Sequence, residues 1–406
     1  MLASPLLPIF LTVLVDVLGL TIVLPLLPFY AEDFGATAFQ VTLVTASYGA
    51  CQLISAPILG RLSDRVGRKP VLLVSQIGTC LGFLLLARVG EVAAWLGVPG
   101  LALVFAGRII DGATAGNLAI AQAYISDVTR PEARTRAFAL IGISFGVGFL
   151  VGPGASGLIA ARYGHAAPFF VAAALSLTSV LTTATLLPRS ILRVDAANAP
   201  RRGFRSLISQ AGPRRYLGEF LCFHLSFATL VGGLALFLQR RNGFDVRATG
   251  GVFTLSGVVG LVIQGGIVRR GIQRGGEGKL ALLGFGAMAT GYAVLALEAS
   301  KALLVVAVVI AGVGTALVRP CLTTLLTKHV TKEEQGAALG VSSSLASFST
   351  LLAHPVAGLL IDRGMLTVWA CVAAAAAAVG VAVRVLPAPP PVADAQPDPP
   401  LSEPAA

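Results

Sequence analysis

Apolar residues in this 406-residue chain come in long runs, interrupted by short polar stretches rich in arginine, glycine and proline. A helix needs about 20 mostly apolar residues to cross the hydrocarbon core of a bilayer. Runs of that kind lie near 5–30, 40–60, 70–89, 99–123, 137–160 and 166–187. Beyond a polar, basic connection, others follow near 216–238, 248–268, 279–298, 302–326, 335–361 and 365–386. The pattern predicts an all-α membrane protein with twelve transmembrane helices in two pseudo-symmetric six-helix bundles. The first bundle is expected over 1–190, a linker over 191–214 and the second bundle over 215–386. The tail, 387–406, is rich in Pro, Ala and Asp and is expected to be disordered.

The halves also repeat. Val128-Thr129-Arg130-Pro131-Glu132, before the fifth span, matches Val330-Thr331-Lys332-Glu333-Glu334, before the eleventh, at an offset of 202. The same offset carries Pro153 onto Pro355 and Leu158-Ile159 onto Leu360-Ile361. Two anchors at one offset point to duplication. Six plus six related helices is an arrangement of secondary transporters whose halves rock about a site near the bilayer midplane.

Composition removes the soluble alternatives. Hydrophobic residues make up 55% and charged residues 12%, about half the charged share of a soluble domain. The net charge of +11 would suit nucleic acid, but the bases are not clustered as a binding face. Most of them fall in one set of loops: Arg61, Arg65, Arg68 and Lys69; Arg130, Arg134 and Arg136; the run from Arg189 to Arg215; Arg269, Arg270, Arg274, Lys279, Lys328 and Lys332, while the opposite loops carry only Arg88, Arg162, Arg240, Arg241, Arg247, Lys301 and Arg363. The positive-inside rule then predicts both termini in the cytoplasm of a multi-pass plasma-membrane protein. The excess charge faces anionic lipid, and no nucleic-acid partner is expected. Five scattered cysteines and four histidines offer no metal or redox spacing. No catalytic triad, nucleotide-binding loop or cofactor motif is present, so no enzyme is predicted. The first apolar run is too long for a cleaved signal and is expected to be retained.

Embedded polar residues then become the functional candidates, since a charge at mid-bilayer costs at least ~2.5–3.5 kcal/mol. Asp16 is central in the first span. Arg108 lies in the fourth, and at 100° per residue Asp111 and Gln122 share its face of a continuous helix. Asp111 is either part of the site or the counter-ion of its neighbour. In the tenth span Arg319 aligns with Thr315 and Thr323; it would bind an anionic substrate group or the carbonyls freed near Pro320. The second span aligns Tyr48, Gln52 and Ser55, and the eleventh Ser343, Ser347, Thr350 and His354. Such stripes line a wet pathway or join helices. His224 and Gln264 are weaker members of the same set.

The most distinctive loop is Gly60-Arg61-Leu62-Ser63-Asp64-Arg65-Val66-Gly67-Arg68-Lys69-Pro70. Its glycines are expected to bracket a tight turn. Asp64 is an acid among bases, suited to pairing with an arginine, or capping a helix, in one conformation only. This segment resembles the signature loop of the major facilitator superfamily. Three further stretches resemble motifs of its twelve-helix drug:proton antiporter group: Asp16 to Gly19 with Leu24 to Pro28, Gly107 to Gly116, and Gly148-Phe149-Leu150-Val151-Gly152-Pro153-Gly154-Ala155-Ser156-Gly157. Ser144 to Gly148 is similar to tetracycline efflux proteins.

The resemblance implies that Asp16 and Arg108 belong to the proton and substrate machinery, that Gly60, Asp64, Arg65, Gly67 and Arg68 gate, and that Gly148, Gly152, Pro153 and Gly157 prevent leak. Tetracycline exporters carry acids in the third and ninth spans, where this chain reads Cys80-Leu81-Gly82-Phe83 and Gly286-Ala287-Met288-Ala289. Gln264 to Arg274 stands as a degenerate second-half counterpart of the Asp64 loop. The chain is expected to be a monomeric, proton-coupled exporter of an amphipathic small molecule. A proton-coupled metabolite importer and a non-transporting sensor on the same scaffold are the alternatives.

Overall fold

A computed structural model describes residues 6–129, 134–188, 207, 209–297, 300–330 and 334–387. Arg130 to Glu132 and Thr331 to Glu333 of the repeat, most of the linker and nearly all of the tail lie outside them. The described residues are helical: α1 (Leu6–Glu32), α2 (Ala38–Val66), α3 (Arg68–Ala87), α4 (Val89–Leu96), α5 (Gly100–Ala113), α6 (Asn117–Val128), α7 (Arg134–Tyr163) and α8 (Ala167–Leu186) form the first part. The second comprises α9 (Ala211–Asn242), α10 (Val246–Val262), α11 (Val268–Ala296), α12 (Lys301–Lys328), α13 (Gln335–Asp362) and α14 (Leu366–Val385). They supply twelve spans long and apolar enough to cross a membrane, with α5 and α6 sharing the fourth.

Short polar residues set several helix starts. Thr37 and Gln40 form a reciprocal capping box on α2, while Asp245 and Ser300 accept the first free N–H groups of α10 and α12. The short α4, between the third and fourth spans, was not expected from the apolar pattern.

The fourth span departs from the continuous helix expected over 99–123. It breaks at Thr114–Gly116, between α5 and α6. Ser75 of α3 covers the break: its hydroxyl donates to the Thr114 carbonyl and accepts the Gly116 N–H at 3.0 Å. Ser55 of α2 donates to the Gly112 carbonyl at 2.8 Å. Backbone freed inside a membrane is tolerated where neighbouring side chains take up its hydrogen bonds.

Within the first bundle α1 lies against α7 and α8, and α3 against α5 and α8. Within the second, α11 lies against α12 and α14, and α9 against α13 and α14. Two seams join them, α2 on α13 and α7 on α10. The apolar core reveals the state of the molecule. At the end opposite the Asp64 loop one cluster runs through both bundles, including Leu26, Phe169, Leu236 and Trp369. Toward the Asp64 loop it divides, with Ile9, Leu72 and Tyr124 on one side and Phe220, Phe285 and Leu322 on the other. Among the described residues, apolar packing thus runs across both bundles at the far face and stays separate in each toward the basic face.

Candidate functional site

At the centre of the first bundle, α5 presents Arg108 and Asp111 one turn apart, bonded at 2.7 Å and almost fully buried. The guanidinium also lies over the Tyr48 ring of α2, 4.4 Å from its centroid, and Thr79 of α3 faces the Asp111 carboxylate. Burying an ion pair is tolerable when neighbours meet its remaining polar atoms; here Arg108 Nε is left without a partner. From Tyr48 the contacts continue outward. Its hydroxyl accepts from Gln52 Nε2 at 3.1 Å, and Gln52 Oε1 accepts from the Ser347 hydroxyl of α13, also at 3.1 Å. Five residues of the first bundle, Arg108, Asp111, Thr79, Tyr48 and Gln52, are thus joined to one of the second.

Asp16 of α1 sits beside this group, against Gln76 of α3 and Ser179 of α8, which bond to each other at 2.8 Å. One of its carboxylate oxygens is enclosed with no hydrogen-bond partner. Since Arg108 is matched by Asp111, no base among the described residues forms an ion pair with Asp16.

The other residues singled out from sequence separate. Gln122 lies in α6, beyond the break, so the single helical face shared with Arg108 and Asp111 does not exist. Ser55 turns away to the broken span. Ser343 returns its hydroxyl to Leu339, and Thr350 packs against Gly49 of α2. His354 is buried, with Nδ1 unpartnered. Arg319 of α12 is exposed and lies 5.4 Å over the Phe145 ring of α7, in the other bundle. Thr323 and Thr324 return their hydroxyls one turn back, to the carbonyls of Arg319 and Pro320. His224 lies between the rings of Phe220 and Phe223.

The basic-face loop is built differently from the expected turn. α2 continues through Gly60 and Asp64 to Val66, and Gly67 alone reverses the chain, at φ 100°. Arg65 is exposed. Arg68 opens α3 and gathers three partners: Asp64 at 2.5 Å, the Ser63 hydroxyl at 2.7 Å and Asp127 at the end of α6 at 2.8 Å. The second bundle repeats the device with signs exchanged. Gly276, at φ 76°, makes the break, and the next residue, Glu277, bonds Lys328 at the end of α12 at 2.6 Å. Gln264 to Arg274, read as the degenerate copy, is instead helical, with Gln264 exposed in a π turn over Ile263–Ile267.

At the far face a second set of polar contacts joins the bundles. Both carboxylate oxygens of Asp362, ending α13, accept N–H groups that start α2, from Ala38 and Phe39, each at 2.8 Å. Arg240 of α9 lies 3.5 Å from Asp362 and 3.7 Å from Glu32 of α1, and Gln239 donates to Glu32 at 2.7 Å. Sequence reading missed Asp127, Glu277, Asp362 and Glu32. Each ends or begins a helix as an acid, and that position was the available signal.

The small-residue stretch of α7 serves two neighbours. A side chain at Gly148 or Gly152 would strike Val17 or Thr21 of α1, whereas one at Gly157 would meet the Val246 carbonyl at 2.8 Å across the α7–α10 seam. The Pro153 carbonyl faces Gly250 of α10 in the same seam.

A family model described as Major Facilitator Superfamily matches residues 9–343 and 272–403. The chain is 30% identical to the class C tetracycline resistance protein of Escherichia coli over 349 residues, which cover 84% of this chain and 85% of the relative. It is 25% identical to multidrug resistance protein 2 of Bacillus subtilis over 362 residues, covering 86% and 87%. Its fold is similar to the crystal structure of the human organic anion transporter MFSD10 (TETRAN), with a TM-score of 0.73, 22% identity, and coverage of 94% of this chain and 99% of that one.

Proposed function

The chain belongs to the major facilitator superfamily, and on that premise we propose that it is a proton-coupled efflux antiporter for an amphipathic small molecule. Asp16 carries this reading. It is an acid held deep between three helices, left without a base because Arg108 is satisfied by Asp111. A carboxyl group screened from water is the kind that can load and release a proton under physiological conditions. Apolar packing stays separate in each bundle toward the basic face, which the positive-inside bias assigns to the cytoplasm. Substrate would enter there, and the far face would open to release it. In this reading both termini are cytoplasmic and the membrane is the plasma membrane.

Arg319 supports an anionic group on the substrate. It is exposed, has no carboxylate partner among the described residues, and lies over an aromatic ring of the other bundle. A ligand with a flat apolar body and one negative group would meet Phe145 and Arg319 together. The similar human protein is described as an organic anion transporter, which accords with that chemistry.

The test is exchange in proteoliposomes under an imposed pH gradient, with a panel of lipophilic anions. Asp16→Asn is expected to leave downhill substrate movement intact while removing its response to the gradient. Persistence of coupling in that variant would exclude Asp16 as the carrier.

A further inference from the structure

Between α1, α3 and α8 the first bundle encloses a polar group with an uneven set of hydrogen bonds. Gln76 of α3 and Ser179 of α8 are both fully buried. Gln76 Nε2 donates to the Ser179 hydroxyl at 2.8 Å, and Ser179 directs its own hydrogen to the Thr12 carbonyl of α1, at 3.5 Å. Both side chains face the Asp16 carboxylate. Two acceptors stay enclosed and unmet, Asp16 Oδ1 and Gln76 Oε1. The frame around them is tied. Ser176 donates to the Gln76 backbone carbonyl at 3.2 Å, and the Thr12 and Thr183 hydroxyls meet at 3.2 Å. An amide carries a donor at one end and an acceptor at the other in nearly the same shape. Gln76 can therefore turn end for end without repacking its neighbours.

We propose that Gln76 is the positioning residue that lets Asp16 hold and release its proton, its amide standing N–H-first to the charged acid and turning carbonyl-first to the protonated one. A carboxylate only accepts, whereas a carboxylic acid also donates. With Nε2 inward, as it stands here, the amide offers its hydrogens to Ser179 and to a charged Asp16. With Oε1 inward it accepts from the O–H of a protonated Asp16 and from Ser179, whose hydrogen then leaves the Thr12 carbonyl. A cation in this place would favour the charged acid alone, and an apolar side chain the neutral one. An amide serves both. The charged and titratable groups facing Asp16 are Asp111 of α5, bonded to Arg108, and Tyr48 of α2. Cys80, one turn beyond Gln76 on α3, turns its thiol to the Ala173 carbonyl. The helices α6 to α10, which also touch α1, present no charged side chain to Asp16 among the described residues.

This inference rests on Asp16 as the proton carrier, but its test needs neither substrate nor gradient. Infrared difference spectra of the full chain in lipid are titrated from about pH 9 to about pH 5, a range in which a buried carboxyl can change charge. The carboxyl C=O band missing from Asp16→Asn belongs to Asp16. It is expected to grow as pH falls, and a glutamine side-chain amide band should shift with the same midpoint and stay still in Asp16→Asn. In Gln76→Met, which keeps the length and loses both ends of the amide, that shift should vanish. The Asp16 midpoint should then rise by roughly one pH unit or more, because the charged form loses a donor. A side chain that only fills space would move neither band nor midpoint. An Asp16 midpoint unchanged in Gln76→Met would overturn the role of Gln76 and leave Asp16 as carrier. Should Gln76→Met fail to fold, the chain with Gln76 in place still decides, since a titrating Asp16 with no accompanying amide shift overturns the proposal. An Asp16 band indifferent to pH would overturn both readings together.

Discussion

The hydroxyl of Ser347 on α13 donates to Oε1 of Gln52 on α2 across the seam between the bundles, at 3.1 Å. The other end of the Gln52 amide donates to Tyr48, whose ring carries Arg108. A change in charge at the Arg108–Asp111 pair therefore has a route of three contacts into the second bundle.

If that route carries coupling, Gln52→Ala and Ser347→Ala break it at the same place. Each is expected to cost about 1 kcal/mol of stability, as for one net hydrogen bond, and to slow exchange. The double variant should be no slower than the worse single one. A double-mutant cycle on exchange rates checks this; additive losses would show that the two residues act independently.

The paired basic-face devices make a sharper expectation. Arg68–Asp127 and Glu277–Lys328 occupy corresponding helix ends with opposite polarity. Asp64→Ala, which removes an acid from Arg68, is expected to abolish exchange while the protein still inserts. Glu277→Lys should depress exchange by placing two like charges together, and adding Lys328→Glu should restore it. Rescue in proteoliposomes is the measurement, because it reads the pairing of charge directly and does not depend on what each pair adds to stability.

Why the spans were legible and the locks were not is a matter of range. A stretch such as Lys301–Lys328 declares itself through its own hydrophobicity, and the lipid leaves a long apolar run little choice but a helix. Asp16, Arg108 and Arg319 stood out for a related reason: a charge inside such a run is locally anomalous. The break at Thr114 was hidden because its compensation comes from Ser75, 39 positions away. Asp362 likewise looks like an ordinary loop acid until Ala38 and Phe39, more than 320 residues distant, bring their N–H groups to it. The repeat suggested that the second bundle would copy the first loop, yet the copy survives as Gly276 and an inverted ion pair, which a search for the same letters cannot find.

Glu219 of α9 illustrates a charge with a structural role. It is 0% exposed and lies between Arg215, at 3.1 Å, and Arg384 of α14, at 3.3 Å. Arg215 also donates to the carbonyls of Arg384, in the last turn of α14, and of Leu386, just beyond it. Glu219→Gln leaves two arginines sharing no counter-charge. Removing one partner of a buried pair typically costs about 3–5 kcal/mol. Thermal unfolding in detergent should show a large drop in midpoint, whereas Arg384→Lys, which keeps the charge, should fall less. An unchanged midpoint for Glu219→Gln would mean the triad does not hold α9 to α14.

Two glycines of α7, five residues apart, should fail in different ways. A Cβ at position 152 would lie 2.8 Å from Thr21 Cβ, inside the first bundle, where Thr21 is already held by its bond to the Val17 carbonyl at 2.9 Å. Gly152→Val therefore overpacks a contact present in every state of the cycle, costing about 1–3 kcal/mol. At position 157 the obstruction is the Val246 carbonyl of the other bundle. A rigid-body movement of the bundles can relieve that clash, but only by abandoning the far-face-closed arrangement. Gly157→Val is thus expected to keep a near-normal unfolding midpoint and lose exchange, while Gly152→Val loses stability first. Unfolding midpoints and exchange rates measured on the same preparations separate the two; equal destabilisation would mean that the α7–α10 seam does not move.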